Sequence, residues 1–336
     1  MSAIISAEPL GFPWKTFDPF LFCAHHDDRY PAGADTLGPA TSLEGRKIGM
    51  DFAGKDGWNM YHGDVVPGFP QHPHRGFETV SLVRHGHIDH HDSLGANARF
   101  GRGDVQWMTA GKGVVHSEMF PLLDAKADNR LEMFQVWLNL PAGNKMVDPY
   151  FTMLWSEGIP RHEFTDAQGR KAEVVTVAGA LDERPMPQTP PDSWAADRDH
   201  EVAIWTIRLE PGARYRLPAA SAAVNRGLYF FDGDAITVDG QAIGSRMGMR
   251  LRPDVEVELV GGSTPCELLL LQGRPIDQPV AQHGPFVMNT PGEIQQAFMD
   301  YRRTRFGGWP WDRDDPVHGA TTQRFAVHAD GRREEP

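Results

Sequence analysis

Side chains alternate between the two faces of an extended strand, so in the run His72-Pro73-His74-Arg75-Gly76-Phe77-Glu78 the two histidines point the same way. The same holds for His116 and Glu118 in the later run Val115-His116-Ser117-Glu118. Same-face neighbours lie about 6.6 Å apart, close enough for two imidazoles to converge on one ion. Two such pairs on facing strands would make a metal site inside a β-barrel. Eight of the fifteen histidines fall between His62 and His116, a density that ordinary surface placement does not explain. Read as extended strand, Glu78 shares a face with His72 and His74, so parity alone leaves both Glu78 and Glu118 open as the acidic ligand.

The elements that would position these residues read as β. Gly (35) and Pro (27) are spread through the chain, and the apolar segments between them are short and rich in β-branched and aromatic residues. Expected strands include 75–83, 105–109, 133–140, 172–177, 203–209, 227–231, 235–238, 255–259 and 266–271, separated by glycine turns such as Asp232-Gly233 and Asp239-Gly240. The break at Asn139-Leu140-Pro141-Ala142-Gly143-Asn144 divides the chain into a first barrel at 1–145 and a second at 146–290. The proline-rich stretch 183–199 reads as a surface loop of the second. Thr290-Pro291-Gly292-Glu293 has a capping Thr, Pro at the first helical position and Glu three residues after the cap. With Ile294, Phe298 and Tyr301 at helical spacing, it predicts a helix over 291–304 that clasps a barrel. The tail of the 291–336 segment beyond Trp311 is charged and reads as weakly ordered. The second half offers His200 between Arg198 and Gly273 and no His-x-His pair, so the metal chemistry belongs to the first barrel.

Bland readings apply to the neighbours of the motifs. Trp107 and Met108 read as core, His85, His87, His90 and His91 as solvated turn or hairpin residues, and Arg75 and Glu78 as residues that pair with each other or orient ligands. Composition excludes several classes. The 336 residues carry a net charge of −12 with no basic block, which speaks against nucleic-acid binding. No stretch approaches the roughly eighteen consecutive apolar residues of a membrane span, and the start has no basic segment leading into an apolar one, so the cytoplasm is the expected compartment. Two cysteines, Cys23 and Cys266, suit a reducing compartment and read as buried thiols.

The histidine runs, together with Gly103-Asp104-Val105-Gln106-Trp107-Met108, Gly113-Val114-Val115-His116-Ser117-Glu118 and Gly284-Pro285-Phe286-Val287-Met288-Asn289, resemble the pirin family of the cupin superfamily. The likeness also takes in Asp18-Pro19-Phe20-Leu21 and Trp137-Leu138-Asn139-Leu140-Pro141, and so runs from about Asp18 to Trp311. It implies an all-β bicupin: two jelly-roll-type antiparallel barrels in tandem with a short C-terminal helix, the first holding Fe(2+), the second without metal. The ligands it implies are His72, His74, His116 and Glu118. The general cupin pattern would instead place the acid at Glu78.

Three neutral imidazoles and one carboxylate leave a divalent ion with net positive charge and, at six-coordination, two open positions, which is a catalytic rather than a closed structural design. Nitrogen and oxygen ligands also accept Mn, Co, Ni, Cu and Zn, so iron rests on the resemblance. It further implies a quercetin 2,3-dioxygenase-type activity, in which dioxygen opens the ring of a flavonol or similar enediol bound to the iron, with Glu118 accepting the substrate proton. The alternative it implies is a non-enzymatic, metal-dependent regulator that binds a protein partner such as a transcription factor or metabolic enzyme.

Overall fold

A computed structural model describes residues 2–184 and 186–336. The chain opens with β1 (Ile4–Pro9) and β2 (Phe20–Tyr30). After a long connection it runs through β3 (Gly68–His74), β4 (Phe77–His85), β5 (His87–Asp92), β6 (Asn97–Gly101), β7 (Val105–Thr109), β8 (Val114–Met119), β9 (Asn129–Asn139) and β10 (Tyr150–Leu154). A second series follows with β11 (Arg161–Thr165), β12 (Lys171–Ala178), β13 (Ala203–Leu209), β14 (Arg214–Leu217), β15 (Asn225–Asp232), β16 (Ala235–Val238), β17 (Gln241–Gly244), β18 (Met247–Leu251), β19 (Val257–Gly261) and β20 (Cys266–Gly273). The hairpin β21 (Ala281–His283) and β22 (Phe286–Met288) leads into helix α1 (Pro291–Thr304), and β23 (Phe325–Val327) and β24 (Arg333–Glu334) end the chain.

The compact units are not contiguous in sequence. One gathers the N-terminal segment up to Ala24, Trp137–Asn139 and Gly158–Asp277; the other gathers His25–Val136, Leu140–Glu157 and Gln278–Pro336. The division expected at 1–145, 146–290 and 291–336 differs from this because each unit completes a sheet with a distant end of the chain. In the first, β1 pairs antiparallel with β18. In the second, β23 pairs antiparallel with β6. The tail beyond Trp311 is accordingly anchored rather than loose: Phe325 and Ala326 are buried, and Arg99 donates to the carbonyls of His318 and Gly319.

The unit holding β13 to β20 faces a seven-stranded sheet, in the order β1-β18-β15-β20-β13-β12-β11, with a four-stranded one, β14-β19-β16-β17. Alternation builds its core. Trp205, Ile207 and Leu209 on β13, Leu268 and Leu270 on β20, and Leu228 and Phe230 on β15 all belong to one buried cluster, while Arg208 between two of them is exposed.

The unit holding the histidine runs pairs a six-stranded sheet, β24-β23-β6-β5-β8-β3, with a five-stranded one, β10-β7-β4-β9-β2. Its interior is filled by Val83, Ile88, Phe100, Leu131 and Met133 among others. Gly76 makes the corner where the chain leaves β3 for β4 in the other sheet. Its φ is +85°, and a Cβ there would lie 2.0 Å from the Val287 carbonyl oxygen, so glycine is required on two counts. Helix α1 forms as predicted, with the reciprocal Thr290 and Glu293 cap in place. Its Ile294, Phe298 and Tyr301 pack on Phe286 and Met288 of β22 and on Phe306.

Candidate metal centre

β3 and β8 lie side by side with His72 directly opposite His116. A register shift between Phe69 and His72 inserts an extra residue into β3, so that His72 rather than Gln71 comes opposite His116. The three rings sit 4.4 to 4.9 Å apart by centroid, and one ring nitrogen from each of His72, His74 and His116 lies within 4.8 Å of the others. The outer nitrogens of His72 and His74 are held. His72 Nδ1 meets the Pro70 carbonyl at 2.9 Å and His74 Nδ1 the Pro285 carbonyl at 3.4 Å. A carbonyl can only accept, so each Nδ1 carries the hydrogen and Nε2 keeps its lone pair. Both nitrogens of His116 are buried without a hydrogen-bond partner, a costly state for a polar group unless something else engages it.

Electrostatics favour the neutral, ligating form. Burial, reinforced by the neighbouring imidazoles, holds His74 and His116 well below the usual histidine range. Burial also lowers His72, against the opposing pull of the Pro70 carbonyl and Glu118. Three uncharged nitrogen donors within 4.8 Å of one another fit a divalent transition-metal ion.

Glu118 lies beside this cluster, with Oε2 3.9 Å from His116 Nε2. The opposite sheet holds it: Ser81 of β4 donates to Oε1 at 2.9 Å and Gln135 of β9 to Oε2 at 2.8 Å. Each oxygen retains a lone pair for a cation. Glu78 is placed differently. It accepts from Thr109 Oγ1 at 2.7 Å, and alternation along β4 puts it on the face opposite Ser81. The Arg75-Gly76 corner breaks the extended run, so the face shared by His72 and His74 is not carried on to Glu78.

Several other expectations change here. Arg75 does not pair with Glu78; it donates to Asp300 of α1 at 2.8 Å and to the Lys112 carbonyl at 2.7 Å, with its guanidinium over the Phe306 ring. His85 is exposed, but His87, His90 and His91 are buried on β5, not solvated in a turn. The pairing of β5 with β8 sets His90 opposite Glu118. The His90 ring lies 5.5 Å from that of His116 and stacks on Phe151. Trp107 and Met108 are buried, as core residues should be.

Sequence reasoning missed Ser81, Gln135 and His90. The signal was present for two of them: Ser81 lies beside Val83, and Gln135 between Met133 and Trp137, on the same strand face, where a hydroxyl or amide among apolar neighbours needs a partner. It also missed an aromatic approach to the centre, where Phe69 lies 6.2 Å from the His72 ring and Phe52, 46% exposed, contacts both His62 and Phe69.

Comparison with known proteins places this geometry. Residues 8–138 match the Pirin family and residues 204–307 the Pirin C-terminal cupin domain. A pirin-like protein of Caulobacter vibrioides is 38% identical over 245 residues, covering 72% of this chain and 82% of its own. Human pirin is 34% identical over 261 residues, covering 74% and 81%. A Pseudomonas aeruginosa protein provisionally named a quercetin 2,3-dioxygenase is 36% identical over 244 residues, covering 71% and 79%. The crystal structure of a quercetin 2,3-dioxygenase from Acinetobacter baumannii shares the fold, with a TM-score of 0.71 over 92% of this chain and 99% of that one at 24% identity. With both barrels matched and relatives above 30% identity along most of its length, the chain belongs to the pirin family.

Proposed function

We propose that the protein is a mononuclear metal-dependent dioxygenase acting on flavonol or enediol-type substrates, with ferrous iron as resident ion held by His72, His74, His116 and Glu118. The observation that carries this reading is the convergence of three neutral imidazoles within 4.8 Å, one of them with both nitrogens buried and otherwise unengaged. When bound, the ion supplies positive charge that lowers the pKa of a substrate hydroxyl and holds two reactants side by side. The protein's own groups do the rest. Glu118, steadied by Ser81 and Gln135, is the nearby carboxylate able to take the hydroxyl proton. Phe69 and Phe52 offer flat apolar faces on which an aromatic ring can stack beside His72. The names of the bacterial relatives support the same substrate class.

The test is anaerobic metal analysis of the purified protein followed by oxygen uptake with a panel of flavonols and other enediols. Uptake that depends on one of them and disappears on metal removal is the expected result. Firmly retained iron with no uptake across the panel would overturn the dioxygenase reading in favour of a metal-dependent regulator.

A further inference from the structure

The β13 to β20 barrel has a site of its own. Among the described residues it holds no cluster of metal donors, yet it opens into a cavity of about 740 Å³, within the size range of small-molecule pockets. Trp205, Val202, Ala203 and Met186 give this cavity an apolar wall, and Arg226 and Gln272 lie at its polar end. The placement follows from strand alternation. Arg226 and Gln272 are register partners on β15 and β20 and continue the inward rows that begin with Leu228 and Leu270.

Arg226 is only 2% exposed. Its Nε donates to Gln272 Oε1 at 2.7 Å and Nη1 to the Pro218 carbonyl at 2.9 Å, both neutral acceptors. Among the described residues no carboxylate forms an ion pair with it. Glu201, whose charge acts on it from further off, is engaged by the backbone N–H and hydroxyl of Ser221. Burial lowers the guanidinium to about 10, so it remains a cation at neutral pH. On the facing sheet the Tyr215 hydroxyl is also buried without a hydrogen-bond partner; burial raises it and the nearby guanidinium pulls it partly back. A buried, fully charged arginine with donors to spare is costly unless an anion completes it.

We infer that this second barrel binds a small monocarboxylate with an apolar or aromatic body, its carboxylate on Arg226 and its body against Trp205. The planar fork of arginine matches a carboxylate. Asp182, Glu183 and Asp197 also line the cavity and are offset by Arg184 and Arg198, so the one buried guanidinium, Arg226, sets the ligand charge and matches a single carboxylate.

The experiment uses the full-length, metal-loaded protein. Calorimetric titration with benzoate gives saturable binding, and benzyl alcohol, of similar size but uncharged, binds about tenfold more weakly or worse. His74→Ala, which disables the other barrel's centre, retains benzoate binding. Arg226→Gln weakens it by about tenfold or more. Because that variant also disturbs the Gln272 and Pro218 contacts, a crystal of the unaltered protein soaked in 4-bromobenzoate locates the ligand directly, with bromine expected in the cavity beside Trp205. Three results would overturn the inference: no saturable benzoate binding, loss of binding in His74→Ala with none in Arg226→Gln, or bromine found only at the histidine cluster or on the surface.

Discussion

The clustering of His72, His74 and His116 was legible because same-face spacing survives any uncertainty about where a strand begins, whereas the face taken by Glu78 was not, because its parity depended on a corner that glycine makes. His74→Ala or His116→Ala is expected to remove the metal while leaving the barrel folded, since the core of Phe100, Leu131 and Met133 does not depend on the centre. Metal content measured beside circular dichroism checks this, and full occupancy in His74→Ala would refute the ligand set. Glu118→Gln should weaken metal binding strongly. Glu78→Gln should change it little, because Glu78 lies on the far face with Thr109; reversed losses would return the acid to Glu78. Ser81→Ala or Gln135→Leu, which free one carboxylate oxygen, should cost about 10–100-fold in metal affinity. A separate cluster contributes to the acid sensitivity of the fold. Burial alone would raise Glu132, but His25, Arg84 and Arg130 outweigh it and bring its carboxyl from 4.5 down to about 2. Between those values the folded state binds fewer protons than the unfolded one, so the contribution of Glu132 is complete above about pH 4.5 and is lost as pH falls toward 2. Glu132→Gln, which removes the carboxylate shared by the partly exposed Arg84 and Arg130, should cost about 1–2 kcal/mol at neutral pH and flatten the acid limb of a denaturation curve.

At the scale of elements, apolar alternation located β7, β13 and β16 to the residue. It failed for β5, whose sequence His87-Ile88-Asp89-His90-His91-Asp92 is polar on both faces. That strand is buried because each face meets charge or imidazole: Asp89 forms a buried pair with Arg99 at 2.6 Å, and His90 turns toward His116. Pairing of this kind leaves no hydrophobic period to read. The helix shows the opposite case, since its cap and stripe are local and were fully legible. What the sequence did not disclose is its tether. Arg75, next to a proposed ligand, ties β3 to Asp300 in α1. Arg75→Met should therefore cost about 2 kcal/mol and lower the melting temperature by on the order of 5 °C, with a smaller loss of metal affinity as His74 loses its support. An unchanged melting temperature would show that the tether is idle.

For the whole molecule, the two-barrel plan was legible from strand density and from the His72-Pro73-His74 motif having no counterpart in the second half. The exchange of chain ends was not, because β1 is a short, largely exposed segment with no pattern that names its partner sheet. Removing the residues from Phe286 onward should lower the melting temperature and loosen the metal together, since β22 and α1 back the turn after His74 and Pro285 meets that ring. A truncated chain that keeps both its melting temperature and its metal would make the helix an appendage. The interlaced ends also bear on synthesis at the ribosome. Ala3 donates to Asp239, 236 positions later, so at about 5–20 residues per second the first strand waits tens of seconds for its sheet. The histidine barrel is translated early but lacks β22, α1 and β23 until the final stretch emerges. Through that interval the edge of β6 lacks its β23 partner and stays an unpaired template that another chain can join until the last strands arrive.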